Sequence, residues 1–251
     1  MTTSRPRPAS RVARMLSIPA VVVLGAGTLG CGIIDTVQNA VDTAGVLSGF
    51  ADRLGKASQL TYTAKYKLTA GEGGTVTLVQ APPRSAIVNG DQRLIFTPEH
   101  MTVCDGKQCQ QAPNTAAAAG AADAGLVAGV AGPGFVTPEL ALGLVAAAAL
   151  VPGSDVSTAN RTIAGQDSLC AEVTGIKDPN ADANGGTGGE LLEDFSVCVT
   201  EAGVLAAFDG KSNTGERIAI ELVSYSDQAS SKAFQPPAGA EVVDVTQLPT
   251  S

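Results

Sequence analysis

Leu60-Thr61-Tyr62-Thr63-Ala64-Lys65-Tyr66-Lys67-Leu68-Thr69 alternates apolar and polar residues without a break. Period two is the signature of a strand with one face buried and one wet. Upstream the period is different. Val37, Val41, Ala44, Leu47, Phe50 and Leu54 recur every three or four places between Asp35 and Lys56, which predicts an amphipathic helix. Downstream, Glu72-Gly73-Gly74 predicts a turn and Thr75 to Gln80 a partner strand with Val76 and Leu78 on one face. Further strands are predicted over 84–88, 93–97 and 100–104, with Asn89-Gly90-Asp91 turning the chain between the first two. Short strands in succession separated by turn residues make an antiparallel meander.

Residues 112–151 change character. Asn114 to Gly134 is almost all Ala and Gly and reads as an irregular insertion, placed at about 112–136. Pro138 to Val151 is a run of Ala, Leu and Val, opened by Thr137 as N-cap and Pro138 at the first helical position. That helix is too short to span a bilayer, which takes about 20 apolar residues. A helix so apolar must be covered on most sides, so it packs on the sheet or closes over a pocket. Strands return over 161–163, 169–174, 195–200, 204–208 and 217–225. The Asp-, Asn- and Gly-rich segment 178–190 predicts a flexible surface loop; it lacks the Gly and the closing Glu of a calcium loop. The predicted fold class is α+β: a strongly curved antiparallel sheet with an N-terminal helix and a helical insertion on its concave face. One domain accounts for residues 35–245, followed by a tail, 246–251.

The N-terminus has its own logic. Arg5, Arg7, Arg11 and Arg14 precede an uncharged stretch from Met15 to Gly30, the layout of a secretory signal. Gly25, Gly27 and Gly30 also match a G-x-G-x-x-G dinucleotide fingerprint, with Asp52 at a ribose-binding distance. That motif needs βαβ units after it, and alternating strands follow instead. Gly27-Thr28-Leu29-Gly30-Cys31 resembles a bacterial lipoprotein signal, which implies cleavage after residue 30, lipidation of Cys31 and a tether over 31–34. Gly30 fits that pattern, whereas Thr28 stands where such signals carry Leu.

Charge and composition exclude several functions. The chain has 251 residues with 16 Lys+Arg and 24 Asp+Glu, a net charge of −8. Removing residues 1–30, with four Arg and no acid, leaves 12 basic against 24 acidic residues, a net of −12. Such a surface does not bind phosphate backbones and is not drawn to anionic membranes. The three Tyr, six Phe and absent Trp leave too few aromatics for base stacking. Catalysis has little to stand on. There is no G-x-S-x-G elbow, His100 is the one His, and Glu139 with Asp155 or Glu193 with Asp194 has no spacing that marks a catalytic carboxylate pair. No cofactor is called for.

With Cys31 set aside, Cys104, Cys109, Cys170 and Cys198 remain. Cys104 and Cys109 bracket the hairpin signal Asp105-Gly106, and the other two lie in predicted strands. No C-x-x-C spacing supports zinc, and export favours disulfides. Two disulfides are expected, with three connectivities open.

The order of these elements, the Asp105-Gly106 hairpin and the closing segment from Phe234 to Val243 (FQPPAGAEVV) together resemble the lipoprotein-carrier superfamily, the LolA-like and actinobacterial LppX/LprG-like lipoproteins. The Ala- and Gly-rich composition suits such an origin. The resemblance implies an incomplete barrel whose concave apolar face, closed by helices, holds acyl chains. It further implies a monomer at the extracytoplasmic face of the cell membrane, held by an N-terminal diacylglycerol, with a lipid or other amphiphile as partner and no nucleic acid. The apolar-face positions Tyr62, Tyr66, Val76, Leu78, Ile95, Phe195, Ile218 and Ile220 are the candidate lining. The rival reading is a filled core in an envelope lipoprotein that binds proteins or serves as a structural or sensor module. The volume of the cavity discriminates the two.

Overall fold

The first six strands run as consecutive hairpins: β1 (Tyr62–Leu68), β2 (Gly74–Ala81), β3 (Arg84–Asn89), β4 (Gln92–Phe96), β5 (His100–Asp105) and β6 (Gln108–Pro113). The computed structural model describes residues 45, 48–70, 73–114, 124–132, 134–151, 153–176, 192–212 and 215–247. A second meander comprises β7 (Asp155–Ile163), β8 (Gln166–Thr174), β9 (Leu192–Thr200), β10 (Leu205–Ser212) and β11 (Arg217–Ser226). β1 pairs antiparallel with β11, and this joint fuses the two meanders. β12 (Glu241–Asp244) then adds to β6 in parallel, giving the order β12-β6-β5-β4-β3-β2-β1-β11-β10-β9-β8-β7. The α+β class and the open, mostly antiparallel sheet agree with the sequence. The leader, Cys31 and its tether, and the 178–190 loop lie outside the described residues.

The sheet curls. In a flat sheet β7 and β11, four strand spacings apart, would be separated by roughly 19 Å, yet the two are in contact. A bulge at the central joint contributes to the bend. The register steps from Lys65 opposite Ser224 to Tyr66 opposite Leu222, leaving Val223 unpaired. The extra residue turns both Tyr225 and Leu222 toward the same concave face.

Topology dictates what covers that face. β6 and β7 lie ten spacings apart in the sheet, about 48 Å along it, so the connection between them must cross it. It does so with two helices, α2 (Ala124–Ala131) and α3 (Pro138–Ala148), while α1 (residues 48–57) precedes β1. Helix α2 corrects the expectation of an irregular insertion: Val127, Val130 and Ala131 are buried, and it packs on β3 and β4. Small residues make this possible, because an Ala/Gly helix approaches the sheet closely. Thr137 caps α3 as predicted, its Oγ1 accepting from the Leu140 N–H at 3.2 Å. Between the two helices the chain passes so close to Ala70 that a Cβ on Gly134 would lie 2.4 Å from the Ala70 Cβ.

The main core lies between these helices and the sheet, with Phe50, Tyr66, Leu94, Val145, Phe208 and Ile220 buried in it. The convex face carries a satellite core. Phe234, from a short turn at Ser231–Phe234, packs on Val79, Ala86 and Ile95, with the Arg84 guanidinium 4.8 Å over its ring. This covering explains why neighbouring residues such as Leu94 and Ile95 are both buried. β7 starts at Asp155 rather than at residue 161, because this polar edge strand lacks apolar alternation.

Candidate functional site

A half-open groove of about 830 Å³ lies between the concave face and the three helices. Register builds its floor. Tyr62, Gln80, Ser85 and Phe96 stand in one row across β1 to β4, each directly opposite the next, and Leu78 with Ile87 forms the adjoining row. Helix α1 contributes Ala51, Leu54 and Gly55 to the roof, α2 contributes Val127, and α3 contributes Leu142 and Ala146. Phe135 and Thr137 close the side between α2 and α3.

Most of the few polar side chains of the wall are already engaged. Gln80 donates through Nε2 to the carbonyls of Ala57 (2.6 Å) and Leu60 (3.1 Å), at the end of α1. Ser58 Oγ donates to the Gly55 carbonyl, and Thr137 serves as the α3 cap. Ser85 Oγ makes no hydrogen bond among the described residues. One strand further on, Asn89 Nδ2 donates to the carbonyls of Val130 (3.1 Å) and Ala131 (3.2 Å), at the end of α2. The sheet thus adds a donor to each of two helix C-terminal ends from its floor, and the Ala57 carbonyl also accepts from the Leu60 N–H at 3.1 Å.

The candidate lining residues divide into three groups. Tyr62 and Leu78 line the groove. Tyr66, Val76, Phe195 and Ile220 face the same side but are packed in the main core, and Ile218 packs against it. Tyr66 meets Phe135 edge-on at 6.4 Å, and Phe195 stacks on Phe208 at 6.1 Å. Burial pushes the Tyr66 phenol well above its ordinary pKa, with nearby Tyr62 adding to the shift. Ile95 is not with them: it faces the convex side under Phe234. Ile87 and Phe96, one residue out of step with the convex-facing Ala86 and Ile95, supply the groove instead. Their strands are apolar at both parities, so alternation did not reveal the inner face. Gln80 carried no signal beyond being a polar residue in a strand.

The four cysteines form two bridges, Cys104–Cys109 and Cys170–Cys198. In each pair the residues are directly opposite on adjacent strands. Cys170 and Cys198 form a small convex cluster with Ala206, behind the concave-facing Ala171 and Val197. His100 is exposed at the start of β5, away from the groove.

No protein-family profile matches this chain, and no curated protein does. Solved structures do. An uncharacterised conserved protein from Thermus thermophilus is 10% identical, with 78% of this chain and 98% of that one covered and a TM-score of 0.45. MucB, in complex with MucA(peri), is 13% identical over 78% of this chain, with a TM-score of 0.45. The lipoprotein LppX of Mycobacterium tuberculosis is 10% identical, covering 74% of this chain and 97% of its own, with a TM-score of 0.37. The likeness is structural. This chain spans 61% of the MucB chain.

Proposed function

We propose that this chain is an exported lipoprotein, anchored through a diacylglycerol on Cys31 at the extracytoplasmic face of the cell membrane, that carries a lipid in its groove without chemistry. The observation that carries the reading is the groove itself. Its volume of about 830 Å³ falls within the roughly 300–1,000 Å³ of small-molecule pockets, and its wall is predominantly apolar. An acyl chain burying twelve methylenes gains roughly 10 kcal/mol at about 0.8 kcal/mol each. That gain is comparable with the estimated cost of immobilising a ligand, about 4–15 kcal/mol, so binding is reversible and suits a carrier.

Helix α3 is the gate in this proposal. Its Leu142 and Ala146 face the groove, its Leu140 is 51% exposed, and its Ala141, Val145 and Ala148 pack in the main core. Movement of α3 opens the groove without disturbing the strand ladder. Attachment rests on the leader and Cys31, since the acidic chain has no electrostatic attraction to anionic lipid.

Native mass spectrometry of the protein purified from an oxidising compartment, followed by organic extraction, tests the reading. A bound mass that extracts as a lipid supports it. A clean apo mass, with no uptake of a fluorescent fatty acid, overturns it in favour of protein interaction.

A further inference from the structure

We infer that the groove selects uncharged lipids, such as acylglycerols, over those bearing a carboxylate or phosphate inside it; this inference rests on the lipid-binding reading above. Among the described residues, no Lys, Arg, His, Asp or Glu lines the groove. A carboxylate entering it would lose water and gain no counter-ion, so it would have to take up a proton instead.

Among the described residues, most basic side chains are placed away from the groove or engaged elsewhere. Lys65 and Lys67 occupy the exposed, outward positions of β1. Arg84 lies over Phe234, and Arg93 donates to the Gln235 carbonyl, both on the convex side. Arg53 leaves α1 toward the Val199 carbonyl at 3.2 Å. Arg161, Lys211 and Arg217 pair with Glu172, Glu193 and Asp209. Lys56, between the lining residues Gly55 and Ala57, is exposed. Segments 31–44, 115–123 and 133 contain no Lys or Arg, and segment 177–191 contains one, Lys177.

What the groove offers instead is neutral hydrogen bonding. Ser85 Oγ, in the floor between Gln80 and Phe96, both donates and accepts, which matches an ester or a hydroxyl. The Gln80 amide hydrogens are committed to the Ala57 and Leu60 carbonyls, so its Oε1 is left as an acceptor. An acceptor rewards a hydroxyl headgroup and repels a carboxylate.

The test compares two probes of one chain length, 1-monopalmitoylglycerol and palmitic acid, titrated below their aggregation concentrations into the purified full-length protein. At about pH 8 the glycerol ester is expected to bind at least tenfold more tightly than palmitate. Palmitic acid is expected to gain affinity as pH falls toward about 5, because the bound acid is held protonated. Equal affinities at high pH, or palmitate binding that ignores pH, would overturn the selectivity while leaving lipid carriage standing. Binding of neither probe at any pH overturns both.

Discussion

Gln80 Nε2 lies 2.6 Å from the carbonyl oxygen of Ala57, so a side chain of the sheet floor closes the C-terminal end of the helix above it. The same amide reaches Leu60, and Asn89 does the same work for α2. The roof of the groove is therefore fastened to its floor by hydrogen bonds as well as by apolar packing.

Replacing Gln80 by Leu removes that fastening: the Leu60 carbonyl loses its side-chain donor, and the Ala57 carbonyl keeps the Leu60 N–H alone. The expected loss of stability is about 1–3 kcal/mol, read from urea denaturation. Amide exchange over residues 48–60 is expected to accelerate more than exchange in β8 and β9.

Gly203 and Gly143 are expected to respond oppositely to Ala. Gly203 has φ +97°, and an added Cβ would sit 1.9 Å from the Arg53 carbonyl oxygen on α1. Either the turn after β9 or α1 must move, at a cost of about 3 kcal/mol or more. Gly143 is an exposed helical position whose Cβ would meet nothing within 4 Å, so Ala there stabilises by up to about 1 kcal/mol. Thermal midpoints of the two variants separate the cases.

The two disulfides differ in the loop they close. In the chain-entropy treatment the 28-residue separation of Cys170 and Cys198 contributes about 3.6 kcal/mol, against about 2 kcal/mol for the five-residue separation of Cys104 and Cys109. Paired Cys→Ala variants, compared by urea midpoint, are expected to keep that order.

Tyr66 ties stability to alkaline pH. Its folded-state pKa is raised by burial, so the unfolded chain ionises first, from its ordinary value near 10. The stabilisation is complete below that pH and is lost as pH rises toward the folded value. Urea midpoints measured from about pH 8 to 11 are expected to fall, and to fall less in Tyr66→Phe.

Ala146→Trp places an indole into the groove from α3. Uptake of a fluorescent acyl probe is expected to fall about tenfold or more, a loss of about 1.4 kcal/mol or more of binding energy. The thermal midpoint is expected to change little, because the ring enters existing space.

Local sequence carried much of this architecture. Alternation over 60–69 located β1 and its buried Tyr62, Ala64, Tyr66 and Leu68. Asp105-Gly106 located the β5–β6 hairpin, and Thr137-Pro138 located the start of α3. The candidate lining was legible only in part. Tyr62 and Leu78 reach the groove, whereas Ile95, apolar and buried like them, faces the other way. Period two says that neighbours point apart, but it does not name the inner side when both sides are covered.

The alternation of β1, the turn chemistry and the acidic balance are properties of neighbouring residues and of the total composition, and the sequence determined them by itself. Four features were decided by tertiary structure: the β1–β11 joint, the parallel β12, the helices crossing from one edge of the sheet to the other, and the capping roles of Gln80 and Asn89. Each depends on residues far apart in the chain, such as Ala57 and Gln80 or Tyr66 and Leu222. A groove is the space left after all of them pack, and no local pattern encodes that remainder.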